Sequence, residues 1–258
     1  MNLVMGTALG YNVEQLKPFV HSLRKHYDGA IALVLDDVTP ELERFFDNYY
    51  VQHFKVGFNT NNQDAICSKR HIFYKQILLK NYPIVEKVML TDVRDVIFQA
   101  DPFAHEMKGD LEFFYETKLY NFCECHRHWF EDLGIYGRGE FAKLRDNYII
   151  CAGTTFGTKT GMYDYLNKMN TELERMQSVL GRPITDQPTH AYLIYNNRFK
   201  DYSCYHTGKG PVATLNGVTD LVFDENDNLL NDDGSIVAVI HQWDRTKYAD
   251  KFKQKALS

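Results

Sequence analysis

Asp92 and Asp95 stand three residues apart in VEKVMLTDVRDVIFQADPF, with Arg94 between them and the apolar run VMLT directly before. Two carboxylates held that close repel each other unless a cation neutralises them. Arg94 could supply the charge, which would make the stretch a salt-bridged turn. A divalent metal could supply it too. Mg²⁺ and Mn²⁺ take oxygen ligands, usually one or two carboxylates plus the phosphates of a substrate. The apolar run bears on the choice, because acids that follow a buried strand sit close to low dielectric, whereas most Asp-rich turns are solvated. A third acid, Asp101, precedes Pro102.

The surrounding pattern says what positions these acids. NLVMGTALG is a short apolar run that ends in small residues, as a buried strand does where its end must admit a close neighbour. NVEQLKPFVHSLRKHY carries Val13, Leu16, Phe19, Val20, Leu23 and Tyr27 at helical spacing, with Asn12 as N-cap. AIALVLDD is a second strand, ending in Asp36 and Asp37. VTPELERFFDNY starts a helix at Pro40, VQHFKV is a short strand, and AICSKRHIFYKQILLKN is a helix stopped by Asn81–Pro83. EKVMLTD is the fourth strand. Strands alternating with helices predict βαβ units and a mostly parallel sheet. Ligands of such sheets sit at the carboxyl ends of the strands. Gly6–Tyr11, Asp36–Asp37 and Asp92–Asp95 all fall there.

The second half is less regular. DLEFFYET predicts a strand, and NYIICAGTTFGT a strand broken at Gly153. GMYDYLNKMNTELERMQSVLG predicts an amphipathic helix with Tyr163, Leu166, Met169, Leu173 and Met176 on one face. TDQPTHAYLIYN opens a helix at Thr185 or Asp186, where a cap is the ordinary role of such a residue. IVAVI is a last strand. No repeat, low-complexity tract or linker divides the 258 residues, which reads as one domain, 1–258.

Composition is that of a globular protein, 44% hydrophobic and 24% charged, and the net charge of −5 argues against a general nucleic-acid binder. No apolar run reaches the length of a membrane span, and MNLVMGTALGYN lacks the basic and long apolar regions of a secretory signal. Five scattered cysteines do not form a disulfide framework, so a reducing, cytoplasmic setting is expected. CECHRH groups Cys123, Cys125, His126 and His128, but C-x-C is tighter than the two-to-four-residue gap of paired zinc cysteines.

VMLTDVRDVIFQADPF resembles the metal-binding segment of GT-A fold glycosyltransferases, whose Asp-x-Asp follows a strand and precedes another apolar strand. Three further stretches are similar to that family in the same order. ICAGTTFGT is similar to the strand beside the donor sugar, TDQPTHAYLIYN to the Asp-Gln that opens a helix near the reaction centre, and AVIHQWDR to the C-terminal strand whose His completes the metal site. The spacing here is Asp-x-x-Asp rather than Asp-x-Asp. The resemblance implies an α/β, GT-A-like (Rossmann-like) sheet flanked by helices, with a nucleotide-binding half at about 1–105 and a smaller mixed acceptor-side half at about 106–258.

It also implies a metal-assisted transfer of a sugar from a nucleotide-sugar donor, a UDP-sugar first, to a glycan or other hydroxyl acceptor. Asp92, Asp95 and His241 would hold Mn²⁺ or Mg²⁺, with His206 of HTGKGP the rival of His241. Gly6, Thr7, Tyr11, Asp36, Asp37, Lys69, Arg70, Gly153 and Lys209 would line the donor site, with Arg245 a further phosphate contact. Asp186 would be the catalytic carboxylate and Glu116 its alternative, ahead of Glu124 and Asp132. The aromatic stretch 119–136, with Trp129, would form an acceptor platform or a buried lid. Two other classes compete: a sugar-nucleotide nucleotidyltransferase, although GTALGYN has no Lys or Arg in its loop, and a non-catalytic nucleotide- or glycan-binding module. A haloacid-dehalogenase phosphatase would need a second Asp where Arg94 stands.

Overall fold

The structure is a computed structural model and describes residues 1–58 and 62–258. The first half alternates as the sequence pattern predicts: β1 (Asn2–Thr7), α1 (Val13–His26), β2 (Ala30–Leu35), α2 (Pro40–Asn48), β3 (Gln52–Lys55), α3 (Gln63–Asn81) and β4 (Lys87–Thr91). Local chemistry starts the helices. Asn12 and Gln15 form a reciprocal capping box on α1, and Thr39 caps α2 directly before Pro40.

After β5 (Val96–Phe98) come β6 (Leu111–Leu119), α4 (Glu124–Arg127), α5 (Gly137–Leu144), β7 (Tyr148–Thr158), α6 (Lys159–Leu180), α7 (Gln187–Tyr195), β8 (Tyr202–Tyr205), β9 (Val212–Thr214), β10 (Val239–His241) and α8 (Ala249–Leu257). A seven-stranded, mostly parallel sheet runs β3-β2-β1-β4-β7-β6-β8, and a small second sheet runs β5-β10-β9. The parallel pairs are β2–β3, β1–β2, β1–β4 and β6–β8, while β7 lies antiparallel to both β4 and β6.

Helices cover both faces of the large sheet, so its strands are apolar on both sides. Leu3, Met5, Val88 and Leu90 pack with α3 and α6, while the alternate residues Val4, Ile31, Leu33 and Met89 pack with α1 and α2. The small sheet has its own core of Ile97, Ala213, Leu229, Ile240 and Trp243 against Phe252 of α8.

β7 departs from the sequence expectation. Gly153 does not break it, and the strand runs eleven residues. Instead Phe113 pairs with Thr155 but Phe114 pairs with Cys151, so residues 152–154 bulge out of the β6 ladder. A bulge re-aims the backbone without ending the strand. The aromatic stretch after β6 also differs from an open platform. Tyr120 and Phe130 are fully buried, and Trp129 packs half-buried against the same core. These rings are held by one another, so they offer few free faces.

Candidate functional site

Three registers bring the site together. β4 ends at Thr91, opposite Thr154 of β7, and the Asp92 N–H donates to the Gly153 carbonyl at 2.7 Å. β10 pairs with β5 so that His241 lies opposite Val96, one residue past Asp95. The Gln242 N–H donates to the Asp95 carbonyl at 2.7 Å, with Gln242 itself in left-handed conformation. Asp92 and Asp95 from the β4–β5 turn and His241 from the end of β10 therefore converge, and their ligand atoms lie within 4.8 Å of one another. His206 is elsewhere, exposed and wedged between the rings of Tyr115 and Tyr148.

The group fits a divalent cation on its own geometry. His241 is 1% exposed, and its Nε2 has no hydrogen-bond partner, standing 3.6 Å from Asp92 Oδ2 and 3.8 Å from Asp95 Oδ1. A buried polar atom without a partner is uncommon and calls for one. Burial opposes charge on this imidazole, yet Cys151, Asp92 and Asp95 together raise its pKa well above the ordinary value. The pocket thus favours positive charge where the imidazole and the carboxylates meet. Two carboxylates and one imidazole suit Mn²⁺ better than Mg²⁺, which prefers oxygen alone. Gly153 makes the room: a Cβ there would meet His241 Cε1 at 2.4 Å and Asp92 Oδ2 at 2.7 Å.

Guanidinium groups frame the acids. Arg70 Nη1 donates to Asp92 Oδ1 at 2.6 Å, and its Nε donates to Asp186 Oδ2 at 2.6 Å. His71 Nε2 lies 2.9 Å from the same Asp186 oxygen. Burial would push the Asp92 carboxyl up, but Arg70 and His241 together more than reverse this and hold it well below the carboxylate range. Asp95 goes the other way: burial first, and then the Asp92 charge, raise it. Arg94 Nη2 and Arg245 Nη2 reach Asp95 Oδ2 at 3.4 and 3.2 Å, and Arg94 also pairs with Asp244. A cleft of 190 Å³ opens over these groups, lined also by Thr7, Tyr11, Gln63 and Cys67.

The remaining predicted residues divide. Thr7 and Tyr11 line the cleft; the Thr7 hydroxyl is tied to Tyr74 at 2.8 Å. Gly6 faces no ligand, since a Cβ there would strike Val93 Cγ2 at 2.4 Å, so it serves the packing of β1 on the Asp92 turn. Asp36 accepts from the Gly10 N–H and braces the loop after β1, while exposed Asp37 pairs with Lys55. Neither lines the cleft. Lys69 is exposed beside Arg70 and stays outside the lining, and Lys209 sits on the β8–β9 loop, paired with Asp232 over a different hollow.

Asp186 and Glu116 also stay out of the lining. Asp186 is 2% exposed beneath Arg70, and buried Glu116 accepts from Asn216 Nδ2 at 3.3 Å. Asp186 makes no side-chain cap to α7. Its oxygen is committed to Arg70 and His71 instead, which is the geometry of a carboxylate that positions a guanidinium. Sequence reasoning missed His71, although its place next to Arg70 was a signal. It also missed Gln187 as a clamp: the side chain accepts from the Ala152 N–H and donates to the Ile150 carbonyl, holding the strand at the bulge.

No protein-family model matches the sequence, and no curated protein matches it.

Proposed function

We propose that the chain is a metal-dependent glycosyltransferase of GT-A-like fold. It would take a sugar from a nucleotide-sugar donor, a UDP-sugar first, to a glycan or other hydroxyl acceptor, acting in the cytoplasm. The observation that carries the reading is that Asp92 and Asp95, grouped with buried His241, line a cleft at the strand ends together with Arg70, Arg94 and Arg245. That is a charge pattern suited to a cation and a diphosphate together. Asp92, Asp95 and His241 would hold Mn²⁺ or Mg²⁺, which when bound supplies Lewis-acid stabilisation of the leaving diphosphate.

The chain's own side chains do the rest. Negative charge grows on the departing diphosphate as the glycosidic bond breaks, and fixed cations lower the cost of that charge. Arg70 is fixed by Asp92 and Asp186. Arg94 and Arg245 approach Asp95 from the solvent side with N–H groups exposed for phosphate oxygens. Tyr11 and Thr7 bound the nucleotide side of the cleft.

Calorimetric titration of UDP tests this, with Mn²⁺ and then with EDTA, on the wild type and on Asp95→Ala. Metal-dependent binding that vanishes in the variant supports the reading. Absence of binding to UDP, GDP and other nucleotides with Mn²⁺ present would sink it. A second reading, a nucleotide-binding module without catalysis, draws on one observation: among the described residues lining the cleft, the carboxylates are Asp92 and Asp95 alone. Binding without hydrolysis or transfer from any nucleotide sugar would select it.

A further inference from the structure

A second convergence of donors lies in the irregular stretch after β6, built by residues that the proposed transfer does not use. The chain leaves the 3-10 turn Tyr120–Phe122 and enters α4 at Cys123. One helical turn then folds His126 back over Cys123. His126 Nδ1 lies 3.0 Å from Cys123 Sγ and 3.6 Å from Cys125 Sγ, and the two sulfurs lie 3.3 Å apart. All three cysteine and histidine donors fall within 4.8 Å of one another.

The separations have a meaning for a metal. A tetrahedral zinc with Zn–S near 2.3 Å and Zn–N near 2.0 Å sets its sulfurs about 3.8 Å apart and each sulfur about 3.5 Å from the nitrogen. The cluster meets those distances to within about half an ångström. The imidazole is also held in place. It is buried, edge-on to Tyr120 at 5.0 Å and to Trp129 at 4.9 Å, and this packing directs Nδ1 at the sulfurs. Cys125 is exposed and Cys123 half-buried, and both are free thiols. An ion could therefore reach them. The short C-x-C gap, which argues against zinc in sequence, is offset here because the third donor comes from the next residue of the same turn.

We propose that Cys123, Cys125 and His126 form a binding site for one thiophilic d¹⁰ cation, Zn²⁺ first, with the fourth position open to solvent. Binding replaces the two thiol protons, which leave to solvent, and makes two metal–sulfur bonds and one metal–nitrogen bond. The site is separate in residues and in chemistry from Asp92, Asp95 and His241, which offer no sulfur ligand in their group.

The test is titration of the full, reduced chain with Co²⁺ under anaerobic conditions, followed by displacement with Zn²⁺. The expected result is one equivalent of Co²⁺ giving a sulfur-to-cobalt charge-transfer band and the intense visible bands of tetrahedral cobalt, both erased by one equivalent of Zn²⁺. The band should persist in Asp92→Asn/Asp95→Asn, which isolates it from the cleft, and vanish in Cys125→Ser, an exposed position where serine leaves packing intact. Absence of a charge-transfer band in the wild-type chain overturns the proposal, and so does a band unchanged in Cys125→Ser. Loss of the band only in the Asp92/Asp95 variant would also overturn it, by assigning the metal to the cleft.

Discussion

The carboxylate–imidazole clusters at Glu112 and in the cleft differ in how far protein donors satisfy them. Glu112 on β6 is fully buried, and protein donors fill it. His105 Nε2 lies 2.6 Å from one oxygen, while the Lys108 N–H at 3.0 Å and the Tyr205 hydroxyl at 2.9 Å donate to the other. Burial pushes the Glu112 carboxyl up, but these partners more than reverse it, so the group is held below its ordinary value. That cluster is complete and staples the loop after β5 to β6 and β8. In the cleft, by contrast, His241 Nε2 stops 3.6 Å short of Asp92 and has no partner. The closed cluster needs nothing more; the open one keeps a buried ring nitrogen without a hydrogen-bond partner. Similar residue types are thus satisfied to different degrees, and a buried polar group left partly unsatisfied is the costly one.

The comparison can be broken at several points. The largest effect belongs to Glu112→Ala, which leaves His105 and Tyr205 without their acceptor; removing one member of a buried pair costs about 3–5 kcal/mol. Urea unfolding should register that loss while Mn²⁺ affinity stays at the wild-type value. A fall in Mn²⁺ affinity would mean that the two clusters are coupled.

Gly153→Ala attacks the open cluster alone. Its methyl group enters the space between Asp92 and His241, and overpacking of this kind costs about 1–3 kcal/mol. Mn²⁺ affinity should fall with it, read by calorimetry; wild-type affinity would show that the bulge relaxes and that the glycine is not needed for the cradle. Acid supplies the smallest effect. Because the folded Glu112 pKa is depressed, its stabilisation is fully present above the unfolded value of 4.5 and is lost as pH falls through the folded value. Wild-type stability should therefore drop below that pH more steeply than that of Glu112→Gln, by up to about 1.4 kcal/mol per pH unit. Parallel curves in unfolding measured across that range would contradict the assignment.

What could be read in sequence was local. Asn12 announced the start of α1, the apolar face of α1 is the buried one, and the run VMLT delivered Asp92 to a strand end. What could not be read was pairing over distance. His241 rather than His206 joins the acids because β10 pairs with β5, a register that no periodicity reveals. Arg70 and Asp186 meet across 116 positions, which turned a residue read as a catalytic carboxylate into a buried support for a guanidinium. Lys209 looked like a phosphate ligand within HTGKGP, yet its loop carries it to Asp232. Gly153 carried the signal of a broken strand, and the fold used it as a bulge, because the missing side chain was needed for space rather than for a turn.

The central claim is that Asp92, Asp95 and His241 form a divalent-cation centre. Electron paramagnetic resonance of free Mn²⁺, titrated against wild type and His241→Ala with and without UDP, tests it most directly. The account predicts that wild type removes one equivalent of the free-ion signal, that UDP tightens the binding, and that His241→Ala weakens it by at least about tenfold. A free-ion signal undiminished by the wild-type protein, or equal binding by both proteins, would contradict it.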